Sequence, residues 1–102
     1  MESFKGVEVV KKANVYFDGK VTSRTVLFPD GSKKTLGVMM PGEYTFKTAG
    51  KEVIEVLSGR VKVKCCHLDW QEFGPGQSFE IPENTEFHLK VEELLDYVCS
   101  YF

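Results

Sequence analysis

The densest group of potential metal ligands in the 102-residue sequence is the contiguous triplet Cys65, Cys66 and His67. The triplet ends a run, residues 60–65, in which apolar and charged side chains alternate as they do in a β-strand. Successive strand residues point to opposite faces, so these side chains cannot converge on one ion. We therefore expect no metal site here. The odd number of cysteines, Cys99 included, predicts small buried apolar residues rather than a disulfide scaffold.

Aromatic side chains are the second group that could take part in ligand binding. Tyr44, Phe46 and Thr48 alternate along one strand-like segment and therefore share a face. Tyr97 and Tyr101 share a face in the same way near the end of the sequence. Such a face can line a pocket in which a planar ligand stacks, or it can belong to a hydrophobic core. The sequence leaves both interpretations open.

Composition excludes several classes of protein. With 42% hydrophobic and 27% charged residues, the chain has material for one domain, residues 1–102. Valine occurs thirteen times and alanine twice, which favours strands over a helical bundle. Thirteen basic against fifteen acidic residues, without a basic block, exclude a nucleic-acid polymer as partner. The sequence has neither a membrane-spanning apolar run nor the apolar start of a signal peptide, so we expect a cytoplasmic protein without membrane contact.

Short alternating segments, separated by turn-forming residues, run through the whole chain. They cover residues 20–28, 35–40, 43–48, 52–57, 60–65, 70–73, 77–81, 86–91 and 94–102. Each break predicts a chain reversal, including the one at Ser58-Gly59. Only residues 91–96 could hold a helical turn. Eight or nine short strands predict an all-β fold, a small β-barrel or a double-sheet jelly roll.

Two of these segments resemble the paired sequence motifs of the cupins. The first cupin motif has two histidines one residue apart, then a glutamate, then a glycine, and Glu52 and Gly59 match the last two positions. The second motif places a glycine and a proline before a third histidine, and Gly76 and Pro82 match these. The resemblance implies a single-domain cupin, a jelly-roll β-barrel.

The histidines of both motifs are replaced in this chain. Phe46 and Thr48 stand at the first two positions, and Phe87 stands at the third. His88 lies one residue beyond, and a shift of one residue in a strand turns a side chain to the other face. Glu52 alone will not hold a transition metal tightly, so we expect no metal.

A narrower resemblance covers nearly the whole chain from Tyr16 onward. The matching stretches are Tyr16 to Val21, Gly37 to Phe46, Glu52 to Gly59, Gly76 to Phe79, Pro82, Glu86 to Leu89 and Tyr97 to Tyr101. In these stretches the chain resembles the small bacterial pyrimidine/purine nucleoside phosphorylases, which are single-domain cupins. The resemblance implies a cytoplasmic homodimer that cleaves purine and pyrimidine ribonucleosides with inorganic phosphate, giving free base and ribose 1-phosphate. The implied partners are thus nucleoside and phosphate, with no further cofactor.

Phosphorolysis needs a positioned phosphate, stabilisation of charge on the ribose, and help for the departing base. The family fold implies that Glu52 points into the cavity, where it could accept hydrogen bonds from ribose hydroxyls. Arg24 is the first candidate for binding phosphate. Glu43 could contact substrate, and His88 could act as a general acid toward the base. Each of these four residues could instead be a solvated surface group.

Stacking of the base needs aromatic walls, which suit loose base selectivity because every nucleobase has a π face. The candidate substrate-binding residues for these walls are Tyr44, Phe46, Thr48, Phe87, Tyr97 and Tyr101. Two other functions remain open on the same fold: a non-catalytic cupin that binds a sugar or nucleoside, and a sugar isomerase or epimerase. Product formation from a nucleoside would separate the phosphorylase from the binding cupin, and an isomerase or epimerase would turn over free sugars without consuming phosphate.

Overall fold

The computed structural model describes residues 2–102, and within them the chain forms nine β-strands and one 3-10 turn, Phe17–Gly19. The strands are β1 (Glu8–Val9), β2 (Asn14–Tyr16), β3 (Val21–Leu27), β4 (Lys33–Met39), β5 (Gly42–Lys47), β6 (Glu52–Lys64), β7 (Gln71–Phe73), β8 (Ser78–Ile81) and β9 (Glu86–Tyr101). The all-β prediction is confirmed. No helix in the described part of the chain has the length and apolar character needed to cross a bilayer.

All strand pairs are antiparallel, and β9 lies at the centre of their arrangement. It pairs with β4, β5 and β6, while β6 also pairs with β7 and β8, and β3 pairs with β1, β2 and β4. Because the sheet branches at β6 and β9, its parts enclose a common core without closing into a complete barrel. This is a cupin-like fold, as the motif resemblance implies, and it agrees with the barrel or jelly roll that the turn pattern predicts.

Strand β6 is one continuous strand, so the predicted reversal at Ser58-Gly59 is wrong. The pairing of β6 with β9 runs from Glu52 opposite Tyr101 to Lys64 opposite His88, with register shifts between Val56 and Val61. Gly59 has φ +91° and lies close to the Leu94 carbonyl, where a Cβ would clash. Glycine here forms a β-bulge, which bends the strand without ending it.

Strand β9 is also continuous, and the possible helical turn at residues 91–96 is wrong. Its first part, residues 86–91, pairs with β5, and residues 95–100 pair with β4. The exposed residues 92–94 lie between these two partners. The apolar alternation is interrupted there because β9 passes from one partner strand to another, not because the chain reverses.

The core is built from the inward residues of these strands. Alternation places Val61 and Val63 inward on β6, and both are buried as predicted. The intervening cations lie on the outer face, where the Arg60 guanidinium donates to Glu72 at 2.8 Å. Sequence alternation thus determines which face of each long strand meets the core.

The three cysteines differ from one another. Cys99 is buried and free, as predicted, but Cys65 and Cys66 are joined in a vicinal disulfide. β6 ends just before them, and the chain turns with the Leu68 amide donating to the Cys65 carbonyl at 3.0 Å. Cys65 is partly buried against the core and Cys66 is exposed, so the prediction of three small buried apolar thiols is wrong for this pair, because the chain leaves the strand at residue 64 and turns.

Candidate active site

A cavity of about 210 Å³ opens inside the folded sheet. Its lining side chains come from β2, β3, β4, β5, β6 and β9. They are Tyr16, Ser23, Met39, Phe46, Lys47, Glu52, Ile54, Phe87, Tyr97, Cys99 and Tyr101. Of the ten residues proposed from sequence, the structure brings five together here, namely Phe46, Glu52, Phe87, Tyr97 and Tyr101.

Phe46 and Phe87 form an aromatic wall. They are directly opposite each other in the β5–β9 ladder, and their rings stack with centroids 5.9 Å apart and planes inclined by 24°. The rings of Tyr16 and Phe17 approach Phe46 edge-on, at 6.1 and 5.4 Å. This edge-to-face packing fixes the Phe46 ring, and the half-buried Phe46 provides the accessible part of the wall because Phe87 is only 2% exposed.

Glu52 provides the carboxylate of the cavity. It is the first residue of β6, and its Oε1 accepts a hydrogen bond from the Cys99 thiol at 3.3 Å. Burial raises the pKa of Glu52, while the Cys99 hydrogen bond and the charge of Lys33 act in the opposite direction. A half-buried carboxylate with one weak donor retains the capacity to accept hydrogen bonds from hydroxyl groups.

Three neutral donors surround this carboxylate. Burial raises the pKa of Cys99 to about 12 and raises those of Tyr97 and Tyr101 well above their ordinary value. All three therefore stay protonated near neutral pH, and Cys99 is not a nucleophilic thiolate. The Tyr101 hydroxyl lies 3.0 Å from the Thr35 hydroxyl. The cavity thus presents hydroxyl donors beside a single carboxylate.

Tyr44 and Thr48 share the inward face with Phe46, but the structure uses them elsewhere. The Tyr44 hydroxyl donates to the Met40 carbonyl at 2.6 Å, and its ring is buried. The Thr48 hydroxyl donates to the Pro82 carbonyl at 2.6 Å and accepts from the Thr85 amide at 2.9 Å. Both side chains hold loops in place, and neither lines the cavity.

Arg24, Glu43 and His88 lie outside the cavity. Arg24 is exposed on β3, and its Nε donates to the Lys11 carbonyl at 3.4 Å. Glu43 is exposed on β5. His88 faces away from Phe87, as the one-residue shift indicates, and its Nδ1 lies 2.9 Å from the Thr45 hydroxyl. The structure therefore gives these three side chains no contact with the cavity lining.

Sequence reasoning missed six of the lining residues: Tyr16, Ser23, Met39, Lys47, Ile54 and Cys99. Met39 and Ile54 occupy inward positions of alternating strands, so alternation could have found them. Cys99 lies between Tyr97 and Tyr101 on their shared face and carries the same signal. Tyr16 comes from a three-residue strand that has no such pattern.

The donor set does not fit the transition metal that many cupins hold. Two of the four ligand positions carry phenylalanine, and the Thr48 hydroxyl is already engaged with the backbone. Glu52 remains, next to a thiol whose raised pKa keeps it protonated. Within residues 2–102, no three His, Cys, Asp or Glu side chains are grouped so as to hold a metal ion. A single carboxylate is too few ligands for a stable site.

Comparison with known proteins decides the family. The sequence model of the pyrimidine/purine nucleoside phosphorylases matches residues 11–101. The chain belongs to this family. The family member from Syntrophotalea carbinolica is 61% identical over 99% of this chain and 98% of its own length. The one from Geobacter sulfurreducens is 53% identical over the same shares of the two chains.

Solved structures agree with this fold. A protein of unknown function from Acinetobacter sp. ADP1 superposes with a TM-score of 0.93 at 45% identity, over 98% of each chain. The ectoine synthase from P. lautus, a cupin-fold protein, superposes with a TM-score of 0.70 at 15% identity, over 80% of this chain and 63% of its own. At that identity the likeness concerns the fold alone. The predicted family and the predicted cupin fold are both confirmed.

Proposed function

We propose that the cavity is the active site of a nucleoside phosphorylase that accepts purine and pyrimidine ribonucleosides. In the reaction the bond from C1′ of the ribose to the base nitrogen breaks, and a bond from C1′ to a phosphate oxygen forms. The base leaves with the electron pair and takes up a proton. The observation that carries the proposal is the family match over residues 11–101, together with a cavity that sets an aromatic wall beside one half-buried carboxylate.

The aromatic wall supports acceptance of more than one base. Phe46 and Phe87 offer a π surface without hydrogen-bond donors or acceptors, so they bind a base by its face and do not read its edge. Purines and pyrimidines differ at their edges but share the stacking face. We therefore assign the base-binding side of the cavity to these two rings.

Glu52 is suited to the ribose. Its ionised carboxylate accepts hydrogen bonds from ribose hydroxyls. The negative charge also stabilises the positive charge that develops on the sugar as the base departs. Partial burial strengthens both effects because water screens them less. We assign Glu52 to stabilisation of the transition state, with inorganic phosphate as co-substrate and no metal or further cofactor.

The proposal is tested with purified protein, uridine and adenosine. Each nucleoside should be cleaved only when phosphate is present, releasing base and ribose 1-phosphate in equal amounts. Base release at the same rate without phosphate would indicate a hydrolase. No release from any nucleoside by folded protein would favour a non-catalytic sugar- or nucleoside-binding cupin, and turnover of free sugars would favour an isomerase or epimerase.

The family also supports a cytoplasmic homodimer as the working form. An open sheet with exposed apolar residues gains from pairing. Leu36 and Val38 point outward from β4 and are exposed to 39% and 37%. We place the contact between two copies on this outer face of β4.

A further inference from the structure

A phosphorylase needs a cation near its cavity, because the attacking phosphate is an anion that approaches a site already holding a carboxylate. The inward face of β4 carries a cation, Lys33, at its end. Lys33, Thr35, Gly37 and Met39 alternate on that face, and the last three are buried while Lys33 is exposed. The face therefore runs from the core to an ammonium group at the cavity edge.

The Lys33 ammonium has a defined position. Its Nζ lies 4.6 Å from the centroid of the Tyr101 ring, and Tyr101 lines the cavity. Its charge acts on Glu52 and Cys99, since Lys33 lowers the pKa of both. Among residues 2–102, three ion pairs lie within 4.0 Å, and none of them involves Lys33. A cation on an aromatic face keeps its hydrogen-bond donors for another ligand.

We propose that the Lys33 ammonium, held over the Tyr101 ring at the edge of the cavity, binds the phosphate co-substrate. This assignment rests on the proposed function and specifies which side of the same cavity receives the anion. The Tyr101 hydroxyl and the buried Thr35 hydroxyl are 3.0 Å apart, so their mutual hydrogen bond uses one of the two hydroxyl hydrogens and fixes the Tyr101 ring under the ammonium. The positive charge also offsets the repulsion between phosphate and Glu52.

The other candidate cations have weaker positions. The Nε of Arg24 donates to the Lys11 carbonyl on the outer face of the sheet. Lys47 also lines the cavity, but it is an exposed residue at the end of β5, next to Phe46 and opposite Glu86 in the ladder. None of the ion pairs or cation–π contacts within residues 2–102 holds its ammonium against a cavity side chain. Of these three cations, Lys33 alone combines an inward strand position with an ammonium located over the ring of a cavity residue.

Direct phosphate binding tests the assignment independently of turnover. Isothermal titration calorimetry of inorganic phosphate, alone and with saturating uracil, compares wild type with Lys33→Met, Lys33→Arg, Arg24→Met and Lys64→Met. Lys64 is exposed on β6, so its variant is a matched control for the lost charge. We expect Lys33→Met to weaken binding about tenfold or more, Lys33→Arg to retain most of it, and the other two variants to stay within about twofold of wild type.

Steady-state kinetics provide the second readout. Lys33→Met should raise the KM for phosphate about tenfold and change the KM for uridine less than about threefold. Absence of turnover in wild type would contradict the proposed function, while the titration would still decide the role of Lys33. Wild type that binds no phosphate with or without uracil, or Lys33→Met that binds it like wild type, would overturn the assignment. If Arg24→Met loses phosphate binding instead, Arg24 and not Lys33 is the phosphate-binding residue.

Discussion

The thiol of Cys99 donates to the carboxylate of Glu52 across the β6–β9 ladder, 3.3 Å from Sγ to Oε1. A thiol is a weak donor, so it stabilises the ionised carboxylate less than an amide or hydroxyl would. Burial has the larger effect and raises the pKa of Glu52. The pairing keeps the carboxylate oriented into the cavity while leaving it an active hydrogen-bond acceptor.

Replacing Glu52 with glutamine tests its catalytic assignment. The amide has nearly the same shape but carries no negative charge to stabilise the positive charge on the ribose. We expect Glu52→Gln to lower kcat roughly a hundredfold, which corresponds to about 2.7 kcal/mol of transition-state stabilisation. Steady-state kinetics with uridine measure this, with Glu55→Gln as a matched control on the exposed side of β6. An unchanged rate would remove Glu52 from the mechanism and leave the family assignment intact.

The raised pKa of Glu52 also predicts a pH dependence of stability. Because the folded state holds the Glu52 proton more tightly than the unfolded state, the carboxyl contributes stability below its ordinary pKa of 4.5. That contribution is lost as pH rises through the higher folded value. Urea unfolding of wild type and Glu52→Gln should therefore show wild type losing stability relative to the variant as pH rises above 4.5. A constant difference would mean that Glu52 is not desolvated.

Thr48 should behave as a structural residue. Its buried hydroxyl bridges the Pro82 carbonyl and the Thr85 amide, so Thr48→Val leaves two partly buried backbone groups without this partner. We expect the free energy of unfolding to fall by about 1–3 kcal/mol, measured by urea denaturation, with Thr45→Val, which removes an exposed hydroxyl contact to His88, as the control with the smaller effect. If Thr48→Val instead raised the KM for nucleoside without changing stability, Thr48 would be a binding residue.

The donor set at the cupin ligand positions predicts no stoichiometric transition metal in the purified protein. Phenylalanine at residues 46 and 87 supplies no ligand atom, which leaves Glu52 without an imidazole partner. Elemental analysis after gel filtration should find well under one equivalent of iron, manganese or zinc, and chelator should not reduce activity. A retained equivalent with activity lost to chelator would contradict this.

Light scattering should give twice the mass of one chain at micromolar concentration. Val38→Lys, which puts a charge on the outer face of β4, should shift the protein toward monomer, whereas Val15→Lys, at a 61% exposed position of β2, should not. Reductant should leave the mass unchanged, because the Cys65–Cys66 disulfide lies within one chain. A monomeric wild type would contradict the dimer.

Alternation and turn residues were enough to predict β3, β4, β5 and β8 to within one or two residues. They failed at Gly59, because a glycine at a bulge and a glycine in a turn have the same local signal. Only the pairing of residues on both sides of Gly59 with one partner strand distinguishes the two, and that pairing is not local information.

The cavity residues likewise divide into those that sequence could predict and those that depend on pairing between distant strands. The cupin resemblance implies the inward positions of Phe46, Glu52 and Phe87, and a one-residue shift on the strand predicts the opposite orientation of His88. Lys33 could not be assigned in this way. Its place beside Tyr101 depends on β4 pairing with β9 across a separation of 66 residues, as the Thr35–Tyr101 contact shows.

The continuous β6–β9 ladder has a consequence for how the protein acquires its cavity. Glu52 and Cys99 are 47 residues apart in sequence, so loop closure must precede the contacts that stabilise it. Folding dominated by such distant antiparallel pairing takes roughly milliseconds to seconds, slower than helical domains of similar size. Until β9 docks, Glu52 on β6 and Phe46 on β5 have no shared partner strand, and the aromatic wall is incomplete because Phe87 lies on β9 itself. In refolding from urea, nucleoside cleavage should therefore return in the last kinetic phase, together with the fluorescence of the buried aromatic residues.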